Sequence, residues 1–528
     1  MSKTIRLTMA QALAKFLTRQ MTVIDGKTVP IFAGVWAIFG HGNVAGFGEA
    51  LYQIRDELPT YRAHNEQGMA HAAIAFAKAS FRRRFMACTT SIGPGATNLV
   101  TAAALAHVNR LPVLFLPGDV FASRAPDPVL QQVEDFAAVA ALKAAKKPVI
   151  IGGGGVLYSG ASETLAAFAD KAGIPVLETQ GGKSALADDH PLNMGSVGVT
   201  GTSASNRLAA ETDLILAVGT RLQDFTTGSW AAFGNAAMKI IGLNTQIFDA
   251  GKHRARPLIA DAKAGLEELS AALGDWTTPR AWTEDAKAGK VEWRKAADNA
   301  LAATNAALPS DAQVIGAVQR VLTGKSTVVC AAGGLPGELH KLWRADTPGG
   351  YHLEYGYSCM GYEIAGGLGV KMAKPDDEVV VMVGDGSYLM LNSELATLVM
   401  LGLRITVVLL DNRGYGCINR LQMATGGANF NNLLADSRHV ALPAIDFRAH
   451  AESLGAIAVK VASIAELEQA LATARGADRS TVIVIDTDAL ITTQAGGAWW
   501  DVAVPEVSPR RQVNESRKAY EKAREKQL

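Results

Sequence analysis

Two oxygen-bearing side chains follow two apolar runs in the last third of the chain. Asp385 lies two positions after the end of the run at residues 379–383, and Asn412 lies two positions after the run at 405–410. The two residues are 27 positions apart, which leaves room for one helix, predicted at 393–401, and the second strand. In a parallel sheet this crossover places both side chains side by side at the carboxyl edge, where ligands bind.

A carboxylate, an amide oxygen and a backbone carbonyl near Gly414 would form a hard oxygen site. Such a site suits Mg²⁺ that is shared with the phosphates of a ligand. Gly384 and Gly386 would let the backbone approach those phosphates, and the helix that follows offers N–H groups to an anion. The alternative is an ordinary turn that uses Gly and Asp as turn formers. The Asp–Asn spacing favours the metal site over the turn.

Four motifs together resemble a known family. They are the Gly-Asp-Gly…Asn pair just described, His64-Asn-Glu-Gln-Gly68, Ser91-Ile-Gly-Pro-Gly-Ala-Thr-Asn98, and Met360-Gly-Tyr-Glu363, with Gly219-Thr-Arg-Leu-Gln-Asp224 and Gly228 between them. In this order they resemble the thiamine-diphosphate-dependent enzymes of the acetolactate synthase-like superfamily. The resemblance extends over most of the chain.

The resemblance implies three α/β domains with mainly parallel sheets, in the thiamine-diphosphate-binding fold. Short apolar runs that alternate with longer helical patterns agree with this class. We expect a pyrimidine-binding domain at 1–136, a central domain at 137–300, a diphosphate-binding domain at 301–500 and a C-terminal tail at 501–528. The first domain ends abruptly near 136 for this family, so we expect a segment to be missing there.

The resemblance also assigns roles to single residues. Glu66 would be the catalytic acid that hydrogen-bonds the pyrimidine ring of thiamine diphosphate and activates it. Mg²⁺ would be held by Asp385, Asn412 and Gly414. The remaining contacts with the cofactor would come from Glu66, Ser358, Met360, Gly384, Gly386, Ser387 and Asn412.

Several stretches resemble one branch of the superfamily, which hydrolyses a C–C bond of a cyclic polyhydroxylated 1,2-diketone in myo-inositol catabolism. They include Asn65-Glu-Gln-Gly-Met-Ala-His71 and Pro126-Asp-Pro-Val-Leu-Gln-Gln132. The branch implies trihydroxycyclohexane-1,2-dione as substrate and 5-deoxyglucuronate as product. Candidate substrate residues are His41, which lies between two glycines, and Asn65 and Gln67, which flank Glu66; Asn65 and Gln67 could instead cap a helix. An acetolactate synthase-like decarboxylase or carboligase that acts on 2-oxo acids is the alternative.

A flavin- or nicotinamide-dependent oxidoreductase is a less favoured reading. Residues 152–155 are four consecutive glycines after an apolar run, as in a dinucleotide-binding turn. Leu157 occupies the position where the third glycine of that fingerprint would stand. FAD in the central domain is therefore not favoured, although the glycines keep it as an open alternative.

Composition limits the partners. The chain has 528 residues, with 51 Lys+Arg against 50 Asp+Glu and a formal net charge of +1 at pH 7, so a dedicated nucleic-acid binder is not expected. No apolar run reaches the roughly 18 residues of a membrane span, and the four cysteines form no CxxC pair. We expect a cytoplasmic protein that acts on a small molecule. The family resemblance, rather than the composition, implies a homodimer or homotetramer with active sites at the subunit interface.

Overall fold

The computed structural model describes residues 5–39, 44–90, 98–117, 137–354 and 356–527. Within these ranges the chain forms three parallel sheets with helices packed against them, and one antiparallel hairpin near the N-terminus. The predicted α/β fold with three domains and mainly parallel sheets is confirmed. No helix of the described residues is both long and apolar enough to cross a membrane.

The first sheet has the strand order β4-β3-β5-β6, and its described strands pair in parallel. Helix α3 follows β4 and carries eleven buried residues, which are mostly Ala, so it packs closely on both sides. The elements of this region are α1 Met9–Arg19, β1 Met21–Ile24, β2 Lys27–Pro30, β3 Phe32–Ile38, α2 Glu49–Gln53, β4 Thr60–Arg62, α3 Glu66–Ala79, β5 Phe85–Thr90, α4 Val100–Val108 and β6 Leu114–Pro117.

The central sheet has the order β12-β11-β10-β7-β8-β9. The strand order reverses between β7 and β10, and a ligand crevice is expected at such a point. Its elements are α5 Ala137–Ala144, β7 Pro148–Gly152, α6 Gly154–Tyr158, α7 Ser162–Ala172, β8 Val176–Glu178, β9 Asn193–Ser196, α8 Ser203–Glu211, β10 Leu214–Val218, α9 Asp224–Thr227, β11 Lys239–Asn244, α10 Ile247–Gly251, β12 Arg256–Ile259 and α11 Ala262–Leu273.

A long helix, α12 Arg280–Leu301, connects the central sheet to the third one. The sequence predicts a linker with helical character at 276–298, and the structure shows a continuous helix of 22 residues. Trp282 and Trp293 lie on its buried face, and the Trp282 indole N–H donates to the carbonyl of Pro148 (3.0 Å). The segment is therefore packed against the central domain rather than free.

The third sheet has the order β14-β13-β15-β16-β18-β17 and is parallel throughout its described strands. Its central strands are buried except for end residues of β15 and β18, as their continuous Val, Leu and Ile runs predict. Its elements are α13 Asp311–Val321, β13 Ser326–Cys330, α14 Leu335–Leu342, β14 Tyr351–Leu353, α15 Tyr362–Ala373, β15 Glu378–Gly384, α16 Asp385–Met390, α17 Glu394–Met400, β16 Thr406–Asp411, α18 Gly416–Ala424, α19 Phe447–Ser453, β17 Ile457–Val461, α20 Ile464–Ala474, β18 Thr481–Asp486 and α21 Arg511–Arg524.

The first and third sheets share one hydrophobic cluster. Helices α3 and α15 form its centre, where Met69 and Ile74 of α3 belong to the same buried cluster as Ile364 and Leu368 of α15. Because close contact between these helices requires small side chains, their Ala and Gly content explains why they can approach each other. This contact sets the position of Glu66, at the start of α3, relative to Met360, just before the start of α15.

Candidate functional site

Asp385 and Asn412 follow two neighbouring strands. β15 and β16 pair in parallel with Gly384 opposite Leu410, which confirms that both residues come from the same edge of the sheet. Asp385 is buried, and burial raises the pKa of its carboxyl group to about 6, with nearby Asp411 adding to the shift. Backbone N–H groups of Asn412 and Gly414 face the carboxylate and lower the pKa, so the turn after β16 wraps around Asp385.

Two buried oxygen atoms at this edge lack a hydrogen-bond donor among the described residues. They are Oδ1 of Asp385 and Oδ1 of Asn412. An unpaired buried acceptor costs on the order of 1–3 kcal/mol, so each of these atoms calls for a partner such as an ordered water molecule or an ion. A carboxylate and an amide oxygen are hard donors, and Mg²⁺ prefers them. The donor set therefore fits Mg²⁺. Its role as the metal site remains a prediction.

Gly414 has a backbone conformation that requires glycine. Its φ of +146° is rare for residues with a side chain, and a Cβ would meet the Asn432 carbonyl oxygen at 2.5 Å and the Leu433 Cα at 2.9 Å. The segment around Leu433 thus packs directly on this turn. This close packing fixes the Gly414 backbone beside Asp385.

The two glycines beside Asp385 differ in their surroundings. A Cβ on Gly384 would meet no atom within 4 Å, so this backbone is open to a ligand, as the sequence predicts. A Cβ on Gly386 would meet the Tyr415 ring at 2.6 Å, so here the glycine makes room for a side chain of the protein. The free space beside Gly384 therefore supports the prediction that a phosphate group can approach the backbone there.

The hydroxyl group of Ser387, predicted to bind the cofactor, already has partners within the chain. Ser387 Oγ donates to the carboxylate of Glu363 (2.8 Å) and accepts from the backbone N–H of Gly361 (2.8 Å). Ser387 therefore joins the turn of Asp385 to the residue that follows Met360. Sequence patterns gave no sign of this link, because it depends on the direction of two side chains.

Ser358 and Met360 lie in the loop that precedes α15. Ser358 is exposed with a φ of +57°, and Met360 is half-buried. Glu354 holds the loop, since its carboxylate accepts from the backbone N–H groups of Tyr357 (3.0 Å) and Cys359 (2.9 Å). Glu354 was not singled out in the sequence analysis. Its position just before the loop was the one feature of the sequence that could have indicated this role.

Glu66 is the first residue of α3 and is half-buried. Its Oε2 accepts from the side-chain amide of Asn98 (3.0 Å), the last residue of the Gly-Pro-Gly motif. Asn65 caps the helix, because its Oδ1 accepts from the backbone N–H of Gly68 (3.0 Å). The Gln67 amide contacts the sulfur of Cys359 (3.7 Å), next to Met360. His41 and residues 91–97 lie outside the described residues.

The start of α3 also contacts the third domain of the same chain. His64 Nδ1 lies 2.8 Å from Thr397 Oγ1, and a Cβ on Gly68 would meet Glu394 Oε1 at 2.7 Å. Together with the contact between Gln67 and Cys359, these contacts place the start of α3 against the third domain of the same chain. Among the described residues, however, Glu66 forms no hydrogen bond with the sheet edge that carries Asp385.

The glycine turn of the central domain borders a cavity of about 500 Å³. The cavity lies where the strand order reverses, and Gly154, Gly219 and Arg221 are among its lining residues. Glu178 ends β8, the strand after the glycine turn, where a dinucleotide-binding fold has an acid for the ribose. It is instead buried and pairs with Lys183 (3.9 Å). Glu178 is therefore not placed to bind the ribose of a nucleotide cofactor in this cavity, which weakens that alternative.

Three family models match the chain in sequence order. They are described as the thiamine pyrophosphate enzyme N-terminal TPP binding domain at residues 34–139, the central domain at 136–269 and the C-terminal TPP binding domain at 331–485. The Asp385–Asn412 edge falls in the third match, and Glu66 falls in the first. Each half of the candidate site therefore lies in a domain described as binding the cofactor.

Similar proteins match over nearly the whole chain. The 3D-(3,5/4)-trihydroxycyclohexane-1,2-dione hydrolase of Geobacillus thermodenitrificans (strain NG80-2) is 39% identical over 630 residues, with 97% of each chain covered. The proteins of the same name from Bacillus cereus (strain AH820) and Bacillus thuringiensis (strain Al Hakam) are 38% identical, again with 97% coverage. The compared length of 630 exceeds the 528 residues of this chain by 102, so the Geobacillus relative carries residues without a counterpart here. With its cofactor-domain matches and this similarity, the chain belongs to the thiamine pyrophosphate enzyme family.

Proposed function

We propose that the protein is a thiamine-diphosphate- and Mg²⁺-dependent hydrolase that opens the ring of trihydroxycyclohexane-1,2-dione to 5-deoxyglucuronate. The observation that carries this proposal is the 38–39% identity over 97% of the chain to relatives that bear this activity in their names. The reaction would belong to myo-inositol catabolism. The proposal includes no nucleic-acid or membrane partner, and it places the protein in the cytoplasm.

The cofactor supplies a nucleophilic carbon and an electron sink for C–C bond cleavage. The chain supplies the means to bind and orient it. Asp385, Asn412 and the carbonyl of Gly414 would hold Mg²⁺, and the free space above Gly384 supports an approach by the diphosphate. The other proposed cofactor-binding residues are Gly386, Ser387, Ser358 and Met360. Ser387 would act indirectly, by holding the turn that carries Asp385 in position.

Glu66 would hold a proton at its carboxyl group where it faces the pyrimidine ring. Asn98 supports this role, because its amide donates to Oε2 of Glu66, and no hydrogen bond to the other carboxyl oxygen occurs among the described residues. A single positioned acid–base group contributes typically about 10²–10⁴-fold in rate. The proposed contacts for the hydroxyl groups of the substrate are Asn65 and Gln67, which flank Glu66 in the sequence, together with His41.

We further propose a homodimer or homotetramer in which Glu66 of one chain serves a cofactor held by Asp385 of another. The shared site would make the dimer the smallest active unit. The proposed domain boundaries remain 136 and 300, with the tail after 500. The segment that we propose to be missing relative to the family lies near 136, where two family matches meet.

Product analysis tests the proposal. The purified chain receives thiamine diphosphate and Mg²⁺ with either trihydroxycyclohexane-1,2-dione or pyruvate as substrate. We expect one ring-opened carboxylic acid per dione consumed, with no CO₂ released from pyruvate. Release of CO₂ or formation of acetolactate from pyruvate, without ring opening of the dione, would instead show a decarboxylase or carboligase.

A further inference from the structure

Glu363 is a buried carboxylate in the first turn of α15. Only 1% of its surface is exposed, and its oxygens accept from the hydroxyl of Ser387 at 2.8 Å. Burial raises the pKa of this carboxyl group to about 7, and the groups that oppose the shift are this hydroxyl and backbone N–H groups, rather than a cation. Those N–H groups belong to Glu363 itself, Gly361 and Ala332.

The partners of Glu363 come from three separate segments. Ala332 follows the end of β13, Gly361 follows Met360, and Ser387 lies two residues after Asp385. β13 and β15 are neighbouring strands, so two of these segments leave the same edge of the sheet. The Gly361 N–H also donates to Ser387 Oγ (2.8 Å), which closes a triangle of contacts among Gly361, Glu363 and Ser387.

No cation pairs with Glu363 among the residues that the structure describes, and a buried carboxylate in such surroundings is costly to desolvate. Replacement of buried charged groups by apolar residues is often neutral or stabilising, so stability alone does not account for Glu363. A carboxylate can, however, accept from several segments at once and hold them in one geometry. Residues that support binding groups in this way typically change metal affinity about 10–100-fold when they are removed.

We propose that Glu363 is a positioning residue that fixes the Met360 loop and the Asp385 turn relative to each other, and so preorganises the cofactor site. The inference rests on the proposed function, because it requires that Met360 and Asp385 both meet the cofactor. Glu363 itself faces Ser387 and the backbone, and it acts through these partners. Its removal should therefore weaken cofactor binding without unfolding the domain.

The test measures binding of thiamine diphosphate to the full-length apoprotein at fixed Mg²⁺ by calorimetric titration. The variants are Glu363→Ala, Glu363→Gln, Ser387→Ala and the double variant Glu363→Ala/Ser387→Ala. Glu338→Gln is the matched control, because Glu338 is also buried in this domain and accepts from a hydroxyl and a backbone N–H, both of Thr493. Thermal unfolding of each apoprotein reports on the fold.

We expect Glu363→Ala to raise the Kd for thiamine diphosphate by at least about tenfold, within the range for such supporting residues. Glu363→Gln should retain part of the affinity, since its amide oxygen still accepts hydrogen bonds. Ser387→Ala should lose a similar factor, and the double variant should be no worse than either single one, because both remove the same link. Glu338→Gln should bind as wild type does.

Three results would overturn the inference. The first is a Kd for thiamine diphosphate within twofold of wild type in Glu363→Ala. The second is a double variant in which the losses of affinity of the two single variants add fully. The third is a loss of affinity in Glu338→Gln equal to that in Glu363→Ala. If Glu363→Ala does not fold, Glu363→Gln and Ser387→Ala decide the question by the same criteria. Wild-type protein that binds no thiamine diphosphate would contradict the proposed function itself, which separates the two failures.

Discussion

Gly369 of α15 lies directly against the carbonyl oxygen of Ala72 in α3, so close that a methyl group on Gly369 would overlap that oxygen. α3 begins with Glu66, and α15 begins two residues after Met360. The contact therefore sets how far apart these two residues lie within one chain. A change in this contact should alter the stability of the chain and the geometry of the site together.

Gly369→Ala should destabilise the protein, although alanine is the better helix former. The added methyl group has to displace one of two backbones, and overpacking of this kind typically costs about 1–3 kcal/mol. Urea unfolding measures the change in the free energy of unfolding. Gly251→Ala is the control, because a Cβ there would meet no atom within 4 Å. A Gly369→Ala variant as stable as wild type would mean that the helices can separate freely.

Asp385→Asn should weaken the binding of thiamine diphosphate in the presence of Mg²⁺ by more than tenfold. The amide keeps the shape of the side chain but removes the charge that attracts the metal ion. The apoprotein should unfold at the same temperature or slightly higher, because a buried carboxylate with an unpaired oxygen is lost. Asp376→Asn, an exposed carboxylate before the same strand, serves as the control. Equal affinities in wild type and Asp385→Asn would remove Asp385 from the metal site.

Cofactor binding should weaken as the pH falls below about 6. Burial raises the pKa of Asp385 to about 6 in the apoprotein, so protons compete with Mg²⁺ for its carboxylate below this pH. Above pH 6 the carboxylate is free, and this competition disappears. The apparent Kd should rise by about tenfold per pH unit below 6 through this one group. Titrations from pH 5 to 8 should show a smaller slope in Asp385→Asn, which loses the titration of this carboxylate but keeps those of the diphosphate and of Glu363. Equal slopes would contradict the assignment.

Glu66→Gln should fold and bind the cofactor but react slowly. The amide is nearly isosteric and can still pair with Asn98, yet it cannot supply the carboxyl proton. Turnover should fall by about 10²–10⁴-fold, and exchange of the reactive thiazolium C2 proton for deuterium should slow in parallel. NMR after acid quench measures the exchange, and Glu57→Gln, an exposed acid of the same domain, is the control. Normal exchange with lost turnover would place Glu66 in substrate binding instead.

The edge that carries Asp385 and Asn412 was the most predictable part of the candidate site. The spacing of Asp385 and Asn412 between two apolar runs fixes one crossover, and the pairing of β15 with β16 follows from it. The contacts of Glu363 and Glu354 could not be predicted in this way, because periodicity does not reveal where a buried side chain points. Strand β17, a short edge strand with three of its five residues exposed, was also not singled out in the sequence analysis.

The tail after the third sheet completes a surface of the central domain. The Trp500 indole N–H donates to Asp224 (2.7 Å), Asp501 N–H donates to Ser229 Oγ (3.1 Å), and the Gln527 side chain donates to the Ser229 carbonyl (3.0 Å). On the ribosome, the central domain is therefore synthesised long before the residues that cover part of it. That face stays uncovered until the last residues emerge, so nascent chains halted before residue 500 should be the ones most in need of a chaperone.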